Sequence, residues 1–424
     1  MTDMSASSTS SYDGSLARAV ELVCDVCDTL RLGAETVALD EGALGRVAAE
    51  TVYAPAPLPA HPIALRDGRA VAAAAFAASP TLSEWPSVAT RAPLPAGTDC
   101  VVPEEWSAVT AASRVRPGLF VGACGSLVAR GAVLLAAGSR VTPGTLALLR
   151  QALPPDVAGI SVARAPRLAL LTVCDDADTV APGAAALVAA VLARAQLGVR
   201  TVDCGMAPAT RDAHAALRAA LVRALATGAD SLVCLGGAWG AAPVLHTLAA
   251  LGPDTVWTET FRHTRLGPGK PTTFGTLRLP HAKTTEFRTV PVWVLGGSAE
   301  AAECGTYAAV VPGVEAMLGV VPARVPFGAS TRVAHLRLAA GVHCTGKGAA
   351  DDAAWVQLVP VAASLREGVV TRVLARRGAD EGAGARDSTD GALVAAAHKS
   401  GLLVIPLGVT AYGPGDDVTV ILTD

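Results

Sequence analysis

From Arg164 onward the chain alternates short continuous apolar runs with helical stretches, and this rhythm constrains the fold more than any other feature. Runs at 168–173, 199–203 and 231–235 read as buried strands, and the segments 183–197 and 212–227 between them carry apolar residues at helical spacing. Further strands are expected at 256–261 and 292–295, followed by a helix from 299 to about 311. Strands that alternate with helices of about 12 to 16 residues imply a parallel sheet covered on both faces. Ligands of such sheets sit beyond the carboxyl ends of the strands. Those ends carry Cys174-Asp175-Asp176, Gly236-Gly237, the loop Pro268-Gly269-Lys270-Pro271 and Gly296-Gly297-Ser298.

The rest of the chain reads differently. A helix is expected over 16–30 and a second over 40–50, which leads through Val52 into the proline-rich passage APAPLPAHP. Short apolar runs separated by Gly and Pro from 65 to about 128 have the pattern of a small β domain. A β segment at 131–140 and a helix at 143–153 return the chain to the first domain, so two interleaved domains are expected. Alternating runs at 333–338, 355–361, 402–407 and 418–422 predict a separate C-terminal β domain. The fold class is therefore multidomain α/β. The expected boundaries are 12–55 with 128–163 for the N-terminal interleaved domain, 56–127 for the inserted β domain, 164–324 for the doubly wound domain and 325–424 for the C-terminal β domain.

At 424 residues the chain is long enough for about three domains of roughly 100 to 200 residues each. Hydrophobic residues make up 51% and charged residues 17%, a globular balance rather than a disordered one. The formal net charge is -3 with no long basic stripe, which excludes nucleic acid and an acidic membrane surface as expected partners and leaves small anions. The start, MTDMSASSTSSYDG, lacks a basic region followed by an apolar one. The apolar stretch 182–193 falls short of the ~20 residues a bilayer requires. A cytoplasmic protein with reduced thiols is expected from these features and from nine scattered cysteines. Cys24 and Cys27 form a Cys-x-x-Cys spacing without a second pair nearby, which suits two thiols on one side of a helix better than zinc.

In PGKPTTFG, from Pro268 to Gly275, a glycine permits close backbone approach and Lys270 offers a point charge to a phosphate or similar oxyanion. A surface turn with a solvated lysine is the competing reading. Asp175 and Asp176 at a strand end suit magnesium or general-base chemistry, and equally an N-cap of the next helix. Asp212 alone reads as a cap. Gly236-Gly237-Ala238-Trp239-Gly240 precedes a helix whose N-terminus could hold a phosphate. The sequence there is G-G-x-x-G rather than G-x-G-x-x-G, even though Glu259 lies about 20 residues further on, where a dinucleotide fold places its ribose acid. His61, His214 and His263 are isolated.

The order of these pieces resembles the molybdopterin molybdenumtransferases, the MoeA and gephyrin E-domain family, over nearly the whole chain. Asp67-Gly68-Arg69-Ala70-Val71 is similar to the family's DGYAV, and the segment from Thr90 to Gly97, TRAPLPAG, to TGAPVPEG. The segment from Gly131 to Pro143 resembles the re-entry into the first domain, and Pro268 to Gly275 the PGKP loop. The resemblance implies a MogA-like doubly wound domain in an elongated homodimer. It implies adenylylated molybdopterin and molybdate as substrates with Mg2+, and AMP as product. A molybdoenzyme or another protein of the cofactor pathway is the implied protein partner. By matched position Asp67, Asp176 and Asp212 are the implied catalytic and metal-binding acids. Thr90, Gly236, Gly237, Pro268, Gly269, Lys270, Pro271, Gly297 and Ser298 are the implied cofactor-binding residues.

Departures from the family pattern fall on site positions. Leu295-Gly296-Gly297-Ser298-Ala299 stands where the family has LPGNP. Val244 stands where GGxSxGxxD ends in an acid, and Leu127 where RGED ends in one. Such changes can leave a fold intact while removing turnover. Three readings follow: a metal-inserting enzyme, an inactive relative serving as a cofactor-binding or interaction scaffold, and a dinucleotide-dependent enzyme using Gly236 to Gly240.

Overall fold

The structure is a computed structural model that describes residues 12–174, 182–208, 214–237, 242–280, 286–320, 327–328, 330–331, 333–339, 342–343, 356–365, 369–373, 399, 401–406, 409 and 411–423. The chain divides into two compact units, one of residues 1–34, 45–47 and 163–424 and the other of 35–44 and 48–162.

The alternating region of the larger unit forms a six-stranded sheet. Its parallel part places Arg167–Val173 between Arg200–Ala207 and Ser231–Leu235, with Phe287–Leu295 beyond the latter. Burial covers both faces. Pro182–Arg194 and the helical run from Ala299 to Leu318 pack into one apolar cluster, while His214–Ala226 and Pro243–Ala249 pack into the other. Ser231–Leu235 is buried at every position, as the central strand of a sheet with helices on both sides must be.

Two expectations about this sheet are corrected. Val256–Arg262 does not join the parallel set: it pairs antiparallel with Thr273–Pro280, which pairs antiparallel with Phe287–Leu295. The reason is connectivity, because only residues 263–272 lie between Arg262 and Thr273, too few for a crossover helix. The helix beginning at Ala299 also continues well past 311. Thr306–Val310 forms a π turn and Val311–Leu318 carries on as α-helix, so the widened turn absorbs Pro312, which cannot donate to the ladder.

The helix Leu16–Asp28 is capped by Ser15, whose hydroxyl accepts from Arg18 N. It packs on Val311–Leu318 rather than with residues 35–55 as the expected N-terminal domain has it. Gly313 makes this possible, since a Cβ there would lie 2.8 Å from Val23 Cγ1 and 3.2 Å from Cys27 Sγ. Cys24 and Cys27 are buried in this contact, and burial pushes the Cys27 thiol well up. They are packing thiols.

Residues past 330 supply five strands that close on themselves. Val333–Leu338 pairs with Val369–Val373 and Asp417–Leu422, Val356–Ser364 pairs with Val369–Val373 and Gly401–Ile405, and Gly401–Ile405 pairs with Asp417–Leu422. Closure of this ring leaves no free edge within it. Leu266–Gly267 runs parallel alongside Val356–Gln357.

The smaller unit holds three apolar clusters, one of them joining Ala64, Ala70, Val88 and Val101. A second joins Leu39, Ala54, Leu134, Leu149 and Val162, and the third centres on Phe76, Cys100 and Val102. Its strands are short, with Gly68–Val71 between Ser87–Val88 and Cys100–Pro103. Pro143–Ala152 is a helix capped by Thr142, as expected. The helix expected over 40–50 is absent: only Glu41–Ala43 makes a single 3-10 turn, and Gly45 with φ +76° ends it. Short helices at Ala73–Ala78 and Ala108–Ala112 lie within what composition presents as a purely β region.

Candidate functional site

At the carboxyl edge of the parallel strands three chain segments meet. Gly236 N donates to Leu295 O at 3.0 Å, and a Cβ on Gly297 would lie 3.4 Å from Gly236 Cα. A Cβ on Gly236 would overlap Val173 O, so the backbones of Val173, Gly236 and Gly297 approach as only glycines allow. Ser298 is exposed, and its hydroxyl accepts from Ala301 N at 3.3 Å to cap Ala299–Gly305. These are the ends that the alternation singles out.

The Pro268–Pro271 loop reaches the same edge because Thr273, just after it, is paired with Val294 near the end of Phe287–Leu295. Gly269 has φ +127°, and a Cβ there would lie 2.7 Å from Leu266 Cδ2 and 3.7 Å from Cys304 Cβ, which explains the glycine. Lys270 is exposed. The loop's flanks are tied down on all sides. Thr272 N and Thr272 Oγ1 donate to Gly269 O at 2.9 and 2.7 Å, and Thr264 N donates to Lys270 O at 3.1 Å. Further back, Tyr12 O–H donates to His263 O at 2.7 Å and Arg265 N donates to Gly14 O at 2.8 Å. Arg265 O accepts from Val356 N at 3.0 Å. Beneath the loop the rings of Tyr12, Phe261, Phe274 and Trp293 follow one another at centroid spacings of 5.1, 6.1 and 5.2 Å.

The neighbouring helix carries a buried charge pair. Glu303, beside the Cys304 that faces Gly269, is ion-paired with Lys399, with both side chains almost wholly buried. Burial raises the Glu303 carboxyl and the Lys399 ammonium opposes it. Tyr307, one turn on, is pushed up to about 12 by burial and then by Glu303.

The glycine turn after the central strand has another character. Gly237 has φ +76°, and a Cβ there would overlap Val244 Cγ2. Val244 is fully buried in the apolar cluster of that face, on the helix Pro243–Ala249.

In the smaller unit, Asp67 and Thr90 are brought together across 23 residues: Thr90 N donates to Asp67 Oδ1 at 2.6 Å. That bond holds the Asp67 carboxyl below its ordinary value although the group is exposed. Asp67 is therefore a fixed, ionised oxygen donor, the chemistry a hard cation such as Mg2+ takes. Gly68 follows because a Cβ would overlap Val102 O. Leu127 is 65% exposed on a turn where its N–H donates to Leu58 O, so it fills no core. Asp176 and Asp212 lie outside the described residues. Among the described residues no three His, Cys, Asp or Glu side chains come together as a metal site, and no helix is long and apolar enough to cross a membrane.

Sequence reasoning missed Thr264, Thr272, Tyr12 and Gly305. The two threonines flank the loop closely enough to have been weighed with it. Tyr12 is some 250 residues away and carried no local signal.

A doubly wound sheet with a glycine-lined edge, a lysine loop beside it and a closed C-terminal strand ring defines a multidomain α/β protein. Residues 14–152 match the family model described as the MoeA N-terminal region, domain I and II. The fold is similar over most of its length to solved structures. Two are of the molybdopterin biosynthesis MoeA protein from Pyrococcus horikoshii: one at 22% identity, TM-score 0.63, covering 96% of this chain and 98% of that one, and one at 17%, 0.68, 96% and 99%. A molybdenum cofactor biosynthesis protein from Pyrococcus furiosus matches at 17% identity, TM-score 0.54, covering 96% and 98%.

Proposed function

We propose that this chain acts in molybdenum cofactor biosynthesis, binding adenylylated molybdopterin and inserting molybdate with release of AMP. The observation that carries this reading is the Lys270 loop, held by buried hydrogen bonds at the carboxyl edge of the sheet. Lys270 is a point charge for a pterin phosphate. Gly236, Gly237 and Gly297 let the chain segments of this edge pack closely against one another, and Ser298 opens a helix whose positive end favours an anion. Pro268 and Pro271 limit the backbone on either side of Lys270. Thr90 N donates to the Asp67 carboxylate and orients it. In the reaction water would open the phosphoanhydride bond with release of AMP, and the two dithiolene thiols would give up their protons and displace molybdate oxygen as water, molybdenum staying at the same oxidation state. Mg2+ would offset charge on the phosphate oxygens. Asp67, Asp176 and Asp212 are the acids the family resemblance assigns to it. A cytoplasmic homodimer working with a molybdoenzyme or a cofactor-pathway protein completes the proposal.

A second reading has a specific observation behind it. Val244 stands where the resemblance calls for an acid, and it is sealed in apolar packing against Gly237. On that reading the chain holds the pterin without turning it over. The test supplies adenylylated molybdopterin, molybdate and magnesium, and follows AMP beside cofactor formation. AMP release with cofactor supports the enzyme, and bound pterin without AMP selects the scaffold. Absence of pterin binding removes both.

A further inference from the structure

We infer that Thr272 is a positioning residue that sets the orientation of the Gly269–Lys270 peptide so that its N–H, and not its carbonyl, faces an anion at Lys270; this rests on the anion-site reading of the loop. Gly269 O accepts twice from Thr272, from the backbone N–H at 2.9 Å and from the hydroxyl at 2.7 Å, and Thr272 is 1% exposed. That carbonyl therefore points into the protein. In a planar trans peptide the C=O and the following N–H point in opposite directions. The Lys270 N–H is consequently aimed away from Thr272, and Lys270 is exposed.

The next carbonyl is fixed as well. Lys270 O accepts from Thr264 N at 3.1 Å, and Thr264 is 3% exposed. Peptide flipping in a glycine-containing turn exchanges a donor for an acceptor. Here a flip would break both bonds to Gly269 O and would turn a carbonyl toward the anion. The hydroxyl of Thr272 thus stabilises the anion-attracting orientation over the repelling one. Space for it is made by Gly305, where a Cβ would lie 2.9 Å from Thr272 Oγ1.

Binding of inorganic pyrophosphate and of adenylylated molybdopterin, each measured by calorimetry on the full chain, tests this. Thr272→Val keeps the shape and removes the hydroxyl, and it should weaken both ligands about three- to ten-fold. Thr272→Ser should restore affinity to within about two-fold of the original protein. In a Lys270→Ala background the valine change should have a smaller effect, a coupling that general destabilisation does not produce. If Thr272→Val fails to fold, Thr272→Ala carries the same comparison. Weakening by Lys270→Ala with no effect of the Thr272 variants overturns the inference and leaves the functional reading standing. Pyrophosphate binding that depends on Thr272, without pterin binding, keeps the inference and removes the pterin reading. Binding of neither ligand overturns both.

Discussion

Two turns lie on the same edge of one sheet, and they are built from opposite materials. The Pro268–Pro271 loop has its carbonyls tied to Thr264 and Thr272 and leaves a lysine exposed. The Gly236–Gly237 turn is backed by Val244, which is fully buried and in the way of any side chain at 237. One turn is preorganised to hold charge, and the other is closed by apolar packing. On the proposed function, ligand binding and turnover would rest on separate residues of a shared edge, so that one could persist where the other is remodelled.

The change with the largest expected effect attacks the apolar turn. Val244→Asp places a carboxylate in a fully buried apolar cluster, and stability should fall by about 3 kcal/mol or more in denaturant unfolding. An aspartate accommodated there without loss, or one that raises AMP release, would erase the contrast between the turns. Lys270→Ala acts on the other side of the comparison. It should weaken adenylylated molybdopterin about ten- to a hundred-fold, since bonds to charged groups contribute about 1.5–3 kcal/mol, while the melting temperature hardly moves. A calorimetric titration beside a thermal melt separates the two quantities.

Gly269→Ala comes next. A residue other than glycine at φ +127°, with its Cβ 2.7 Å from Leu266 Cδ2, should cost about 1–3 kcal/mol of stability and loosen the loop. The smallest effect is at Asp67, outside the sheet. Its folded value is lowered by the Thr90 N–H, so its contribution to stability is present above the ordinary carboxyl value and is lost as pH falls through the lowered one. An NMR titration should give Asp67 a midpoint below 3.8. A midpoint at or above that value would mean the Thr90 bond is not formed in solution.

Much of the fold was legible in the residues. Ser231–Leu235 and Val333–Leu338 fall where the sequence puts them, because a strand buried on both faces is written as continuous hydrophobicity and a half-buried one as alternation. What failed depended on partners or on backbone geometry. The run at 256–261 looks like any other strand, and nothing in it says antiparallel; the short link to Thr273 decides that. Residues 40–50 have helical spacing, and Gly45 overrides it. Pro312 suggests a helix end, yet a π turn before it lets the helix continue. For the candidate site, the placement of Lys270 and the glycines at strand ends was legible. The grip of Thr264, Thr272 and Tyr12 was not, because hydrogen bonds to backbone carbonyls leave no pattern in a single sequence.

On the proposed function the Lys270 loop holds the pterin phosphate. Titration of adenylylated molybdopterin into the original protein and into Lys270→Ala tests it most directly. The prediction is saturable binding by the first and affinity at least about ten-fold lower for the second. Equal affinities for the two proteins, or no binding by the original one, would contradict it.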